Sequence, residues 1–490
     1  MRQSGVLLHV TSLPSDGGIG TLGKAAYEFV DFVKDSRMSI WQMLPLGPTG
    51  YAESPYQSCS TFAGNQLVID FPSLEEEGLL PEGSYEPLEI KPEVDFEAVK
   101  EQQRRLMMLS FKTSFDKLGC EIAEFEKKQS WVADYGLFRA IKAKFNEISW
   151  MEWPDQKIRL REPETLEKYK AELKDEINFY IYEQYLFFRQ WTKLHEYAKS
   201  KGVMLMGDMP IYVSEDSADV WLNPDMFELD EECRPVRVAG VPPDYFSVNG
   251  QRWGNPLYAW DKHEAQGYSW WISRLRALGE MFDILRIDHF IGFANYYAIP
   301  SSEPTALVGK YEIGPGKKLF DRIKEELPGL RIVAEDLGVV NQTVKDLLAY
   351  CGYPGMKVLQ FAFDGELTDP LPETHTKNCF IYTGTHDNNT TLGWWKDAAP
   401  EVRKKAEKAL GMEEGGDIVE YMLKAAFTSD ADTAVAPMQD LLKLDEKSRM
   451  NVPGTVGCNW MWRMLPVDYG KVAEKVRMLN INSNRGKFFW

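Results

Sequence analysis

Several short apolar runs in this chain end in carboxylates. Ile284-Leu285-Arg286-Ile287-Asp288 carries an arginine and an aspartate two positions apart. Side chains on a β-strand alternate between faces, so that spacing puts both charges on one side. Val203-Met204-Leu205-Met206-Gly207 leads into Asp208, Arg331-Ile332-Val333-Ala334 into Glu335, and Phe380-Ile381-Tyr382-Thr383-Gly384-Thr385-His386 into Asp387. Apolar runs of this length, bounded by turn residues, read as buried strands of a parallel sheet. Further runs near residues 6, 40, 357 and 433 bring the number of strands to eight. Helical patterns lie between them. Ala26, Phe29, Val30 and Val33 share one face over 24–37, and Phe187, Trp191, Leu194 and Ala198 share a face of a helix that Gly202 ends. Eight parallel strands with intervening helices predict an α/β chain folded as a (β/α)8 TIM barrel, whose active site gathers residues from the C-terminal strand ends.

Two stretches interrupt the alternation within a chain that otherwise reads, over 1–490, as one catalytic barrel. Residues 74–189 are rich in Glu and Lys with helical periodicity, which predicts an inserted, mainly helical subdomain whose charge runs are solvated faces. Residues 213–271 are irregular and predict a loop-rich insertion covering the substrate cleft. Gly18-Ile19-Gly20-Thr21-Leu22-Gly23 spells GxGxxG ahead of a helix, but Pro14 intervenes after the first strand and the second strand ends in Leu44-Pro45-Leu46 without a ribose-binding acid. The dinucleotide motif needs both features, so these glycines are read as turn positions.

Charge narrows the choice of partner. A net charge of -18 argues against nucleic acid or an anionic membrane, which require basic surfaces, and a neutral substrate fits better. The six cysteines contain no CxxC pair and no zinc or iron-sulfur spacing, as expected of reduced cysteines in a cytoplasmic protein. The run Val6 to Val10 is broken by His9 and too short for a signal peptide, and no apolar run has membrane-spanning length.

Any one strand-end acid is best explained as a helix cap or a loop ion pair. Four converging on one mouth repel each other at a cost that makes sense where chemistry uses it. Clustered carboxylates without a metal set or a nucleophile triad suit glycosyl transfer or hydrolysis. Asp288 is the candidate for attack at an anomeric carbon, since Arg286 on the same face favours its ionised form. Glu335, after an apolar run and beside other carboxylates, is the candidate proton donor. Asp387, with His386 next to it, is placed to hold sugar hydroxyls, and Asp208 to contact Arg286 from behind. The segment from Pro242 to Trp260 is dense in aromatic rings, more than a loop needs for anchoring, and suits the apolar faces of pyranoses. Gly47-Pro48-Thr49-Gly50-Tyr51-Ala52-Glu53-Ser54-Pro55-Tyr56 reads equally as a surface turn or as a platform in a groove.

These residues closely resemble the amylomaltase or disproportionating-enzyme family of 4-α-glucanotransferases, glycoside hydrolase family seventy-seven. The resemblance runs over nearly the whole chain, through His9-Val10-Thr11-Ser12-Leu13-Pro14, Leu44 to Tyr51, Pro242 to Trp260, Arg286-Ile287-Asp288-His289-Phe290, Ala334-Glu335-Asp336-Leu337-Gly338, Gly384 to Thr390, Arg449 to Thr455 and Asn459-Trp460-Met461-Trp462-Arg463. It implies transfer of α-1,4-glucan segments between maltooligosaccharides by a retaining double displacement, with Asp288 as nucleophile, Glu335 as general acid/base and Asp387 as transition-state stabiliser. It also implies substrate contacts from Tyr51, Ser54, Tyr56, Asp208, Asp244, Tyr245, Phe246, Trp253, Arg286, His289, His386, Asn451 and Pro453, with Tyr51 outside the catalytic centre and no metal or organic cofactor. The chain departs from the family pattern at Ile291 and Ala294, where arginine and an acid are common, and at Asn389, where aspartate is frequent. Those departures bear on outer sugar contacts. A plain α-glucan hydrolase and a non-catalytic glycan-binding protein are the rival readings. The first shares the carboxylates, and the second has no need of Arg286, Asp288 and Glu335 together.

Overall fold

The computed structural model describes residues 2–243, 247–338, 340–363 and 377–486. Among these described residues twelve strands follow in chain order: β1 (Gln3–Leu7), β2 (Ile40–Gln42), β3 (Met204–Pro210), β4 (Arg237–Val241), β5 (Gln251–Pro256), β6 (Ile284–Asp288), β7 (Asn295–Pro300), β8 (Lys310–Ile313), β9 (Ile332–Ala334), β10 (Gly355–Val358), β11 (Cys379–Tyr382) and β12 (Thr433–Pro437). The eight runs expected from the sequence form one parallel sheet in the order β10-β11-β12-β1-β2-β3-β6-β9. Its two end strands meet where Ala334 N–H donates to the Pro354 carbonyl at 2.9 Å and Met356 N–H donates to Asp336 Oδ1 at 2.7 Å. The sheet therefore curls into a (β/α)8 barrel. Strands of such a sheet are covered on both faces, which is why their sequences are nearly continuous apolar runs. Gly207 in β3 has a packing reason of its own: a Cβ there would meet the Phe282 ring at 2.4 Å.

The helix Lys24–Asp35 buries Ala26, Phe29, Val30 and Val33 against the barrel, and the helix Lys174–Ser200 buries Phe187, Trp191, Leu194 and Ala198. Between β2 and β3 the chain also forms the helices Phe96–Ser114, Gly119–Lys128, Val132–Lys144 and Pro163–Glu172. Their buried side chains, Leu106, Phe138 and Tyr169 among them, join one continuous core with Val6, Trp41 and Leu205 of the barrel.

A second sheet, antiparallel in the order β5-β4-β7-β8, draws β4 and β5 from the segment after β3 and β7 and β8 from the segment after β6. The segment 213–271 is thus only partly loop. β5 has a half-exposed pattern and holds Gly254, Asn255 and Pro256, so its side chains give no strand signal of their own, and it is held by its ladder to β4. Among the described residues no helix is long and apolar enough to cross a membrane.

Candidate active site

Asp288 is the last residue of β6, and Arg286 precedes it on the same face. The β3–β6 register sets Asp208 opposite Arg286. Arg286 Nη1 donates to both Asp208 oxygens, at 2.7 and 2.6 Å, while Nη2 lies 3.0 Å from Asp288 Oδ1. The Asp208 side chain is 0% exposed, Arg286 4% and Asp288 29%. One guanidinium thus joins a sealed carboxylate to one that faces the opening. The sealed partner compensates Arg286 for its desolvation and fixes the fork toward Asp288.

Glu335 follows β9. Ile287 pairs with Ala334 across the β6–β9 ladder, so Asp288 and Glu335, each one residue further on, stand side by side at the strand ends. The ladder continues there, with Glu335 N–H donating to the Ile287 carbonyl and Phe290 N–H to the Glu335 carbonyl, both at 3.0 Å. Glu335 Oε2 accepts from His289 N–H and Oε1 from Leu337 N–H, each at 2.7 Å. Burial pushes the Glu335 carboxyl up to about 8, opposed by Arg286 and by the two backbone donors and reinforced by Asp288. Burial dominates, and the group carries its proton at neutral pH. His289 occupies the left-handed region (φ 51°), uncommon for a residue with a side chain, and this turn aims its N–H at Glu335. The Trp253 ring meets the His289 ring edge-on at 4.9 Å.

A third wall comes from the loop after β11. Thr385 N–H and Oγ1 both donate to Asn388 Oδ1, at 2.9 and 2.8 Å, closing a turn that presents His386 and Asp387. Asn451 Nδ2 donates to Asp387 Oδ1 at 2.6 Å, Asn451 N–H to the His386 carbonyl at 3.1 Å, and Arg449 Nη2 to the Asp387 carbonyl at 2.6 Å. His386 Nε2 lies 3.3 Å from Asp387 Oδ2 and 2.9 Å from Tyr56 Oη. Tyr56 donates to Asp208 Oδ2 at 2.8 Å, and its ring stacks on His386 with centroids 5.3 Å apart. A phenol has one proton. With that proton committed to Asp208, the bond to His386 requires His386 Nε2–H as donor.

The structure therefore brings Tyr56, Asp208, Trp253, Arg286, Asp288, His289, Glu335, His386, Asp387 and Asn451 to one barrel mouth. Tyr51 is 73% exposed, on a short turn where Ala52 and Glu53 both have positive φ, and Ser54 serves locally, accepting from Tyr56 N–H at 3.3 Å. Pro453 lies on an exposed loop. Asp244, Tyr245 and Phe246 lie outside the described residues. Of the three departures, Ile291 and Ala294 are buried, and Asn389 donates through Nδ2 to Asp397 at 3.2 Å. Arg449, which holds the Asp387 backbone, was not among the expected site residues. Its spacing of two from Asn451 is the signal that could have found it.

The family model of 4-alpha-glucanotransferase matches residues 8–468. A 4-alpha-glucanotransferase of Streptococcus pneumoniae is 45% identical over 472 residues, covering 94% of this chain and 93% of its own. That of Thermus thermophilus is 44% identical over 478 residues, covering 95% of each. Among solved structures, amylomaltase from Streptococcus agalactiae in complex with acarbose superposes with a TM-score of 0.96 at 40% identity, over 99% of this chain and 100% of that one.

Proposed function

The chain belongs to the 4-alpha-glucanotransferase family, enzymes acting on α-1,4-glucans, and we propose that it moves segments from a donor maltooligosaccharide to an acceptor through a covalent glucosyl intermediate on Asp288. The observation that carries the mechanism is the Asp288–Glu335 pair. The two residues stand side by side at the ends of neighbouring strands, which run about 4.8 Å apart, so both carboxyl groups serve one sugar, as a retaining mechanism requires. One member has the Arg286 guanidinium at 3.0 Å as its charge partner, and the other keeps its proton at neutral pH.

In the first step an Asp288 oxygen attacks the anomeric carbon while Glu335 gives its proton to the glycosidic oxygen, and the shortened glucan leaves by its new hydroxyl. Glu335, now a carboxylate, takes the proton of an acceptor hydroxyl. That oxygen attacks the same carbon, the Asp288–sugar bond breaks, and two inversions leave the configuration retained. Asp387, held by Asn451, and His386 bind hydroxyls of the sugar at the reacting centre. Trp253 offers an apolar face for a neighbouring pyranose, while Tyr51, Ser54 and Pro453, with Asp244, Tyr245 and Phe246, belong to outer glucan contacts. The segment 74–189 forms a helical subdomain packed on the barrel, and 213–271 supplies the cleft wall.

Incubation of the purified protein with maltotriose tests this. Longer maltooligosaccharides together with glucose are expected. Glucose and maltose alone would show that water, and not a sugar, is the acceptor, and unchanged substrate would leave a glycan-binding protein.

A further inference from the structure

Beside His386, on the side of the barrel where β1 ends, is a cavity of about 20 Å³ lined by His9, Ser12, Thr385, His386, Gln439 and Trp462 among others. That is room for about one water molecule. His9 lies two residues past β1, 6% exposed, and its Nδ1 is buried without a hydrogen-bond partner among the described residues. An unpaired buried polar atom costs about 1–3 kcal/mol, so a water that satisfies it is well held. Burial, with His386 adding to it, pushes the His9 imidazole down to about 3, so the ring is neutral across the working range and offers one donor and one acceptor.

His386 has a matching requirement. Its Nε2–H is committed toward Tyr56, and Asp387 Oδ2 lies 3.3 Å away. A second proton would make it a cation that draws the Asp387 carboxylate into an ion pair and away from sugar hydroxyls. The titratable groups around it are Tyr56, Asp387, Asp208 beyond Tyr56, and His9, while Trp460 packs on its ring at 6.0 Å. We propose that His9 is a positioning residue for the reaction: through one water held in the shared cavity it keeps His386 in the neutral Nε2–H form that faces Tyr56 and Asp387. This rests on His386 being a sugar-binding residue at the reacting centre.

The chain has six histidines, few enough for their ring nitrogens to be followed by 15N NMR after selective labelling, with His386→Gln assigning the signal. In the unmodified enzyme His386 is expected as the Nε2–H tautomer at pH 7. A doubly protonated ring or an Nδ1–H tautomer overturns the proposal, and this measurement needs no His9 variant to fold. His9→Phe fills the cavity without a nitrogen, and it should move His386 away from the Nε2–H tautomer. It should also lower kcat about tenfold at a KM for maltotriose unchanged within about twofold. His9→Gln, whose amide can hold the water, should recover most of the loss. In a His386→Gln background His9→Phe should cost nothing further, since both act through one group. Additive losses, or an unchanged His386 spectrum in His9→Phe, overturn the proposal. A His386→Gln enzyme with full transfer activity instead removes the role of His386 itself, and the inference falls with it.

Discussion

Glu183 and Glu335 are both buried glutamates, the first in the long helix Lys174–Ser200 and the second at the end of β9. Burial pushes Glu183 up to about 7 and Glu335 up to about 8, with desolvation the largest cause in each. By perturbation alone they are alike. Their surroundings differ: Glu183 is 4% exposed and accepts a single side-chain bond from Gln103 Nε2 at 3.2 Å, inside the helical block. Glu335 accepts two backbone N–H groups at a strand end, beside Asp288 and the Arg286 fork. A raised carboxyl therefore marks a candidate site only when a second group of opposite task stands within reach and the pair faces an opening.

The largest expected effect separates the two regions outright. Asp288→Asn removes the attacking oxygen's charge and should reduce transfer by about 10⁴-fold or more, as loss of a nucleophile does in other enzymes. Glu183→Gln should leave transfer within about threefold of the unmodified enzyme. Side-by-side rates on maltotriose decide it. An active Asp288→Asn protein, after deamidation is excluded by mass, would remove Asp288 from the mechanism.

Next comes the proton. Glu335→Gln should slow transfer from maltotriose by about 10²–10⁴-fold. With a glycosyl fluoride donor, whose leaving group needs no proton, the first step should recover, as a burst of fluoride. Equal losses on both donors would show that Glu335 is not the acid. Its carboxyl near 8 also sets a pH limit. Above that value the proton is gone before the donor is cleaved, so the rate should fall about tenfold per pH unit, and Glu183→Gln should not move the limb. A limb that shifts with Glu183→Gln would break the comparison.

How far the sequence reached follows from the same contrast between local and assembled features. The barrel strands were legible because each is covered on both faces and shows a nearly continuous apolar run. The acids at their ends follow such runs directly, and Arg286 and Asp288 declare a shared face by their spacing alone. The Arg286–Asp208 contact was also expected, since strand-end charges in one barrel converge. The accessory sheet was not legible: Tyr296-Tyr297-Ala298-Ile299 is an apolar run like the others, but its partners β4 and β8 are short, and β5 beyond β4 is polar and Gly-containing. Nor was the path from His386 through Tyr56 to Asp208 to Arg286, because Tyr56 reaches Asp208 from 152 residues away and no local pattern records that meeting. His9 was missed for the same reason, since it and His386 line one cavity from segments far apart in the chain.

The smallest expected effect tests whether the two glutamates are as alike in energy as they are in burial. The folded state holds the Glu183 proton up to about 7, whereas the unfolded chain releases it near 4.5. The favourable contribution is present below 4.5 and is lost as pH rises through 7, because folding must first take up a proton that the unfolded chain has released and then, above 7, bury the charge. An amide in the same position has no proton to lose. Glu183→Gln should therefore melt at the same temperature as the unmodified enzyme at pH 4.5 and a few degrees higher at pH 8, an advantage of about 3 kcal/mol at most. Glu335→Gln should show a gain of the same sign, extending to a higher pH because its folded value is higher. Thermal unfolding of the three proteins at the two pH values checks it. A Glu183→Gln advantage that is constant with pH would mean that the variant repacks the helical block and that Glu183 is ionised in the fold. Glu335 would then differ from Glu183 in its perturbation as well as in its surroundings.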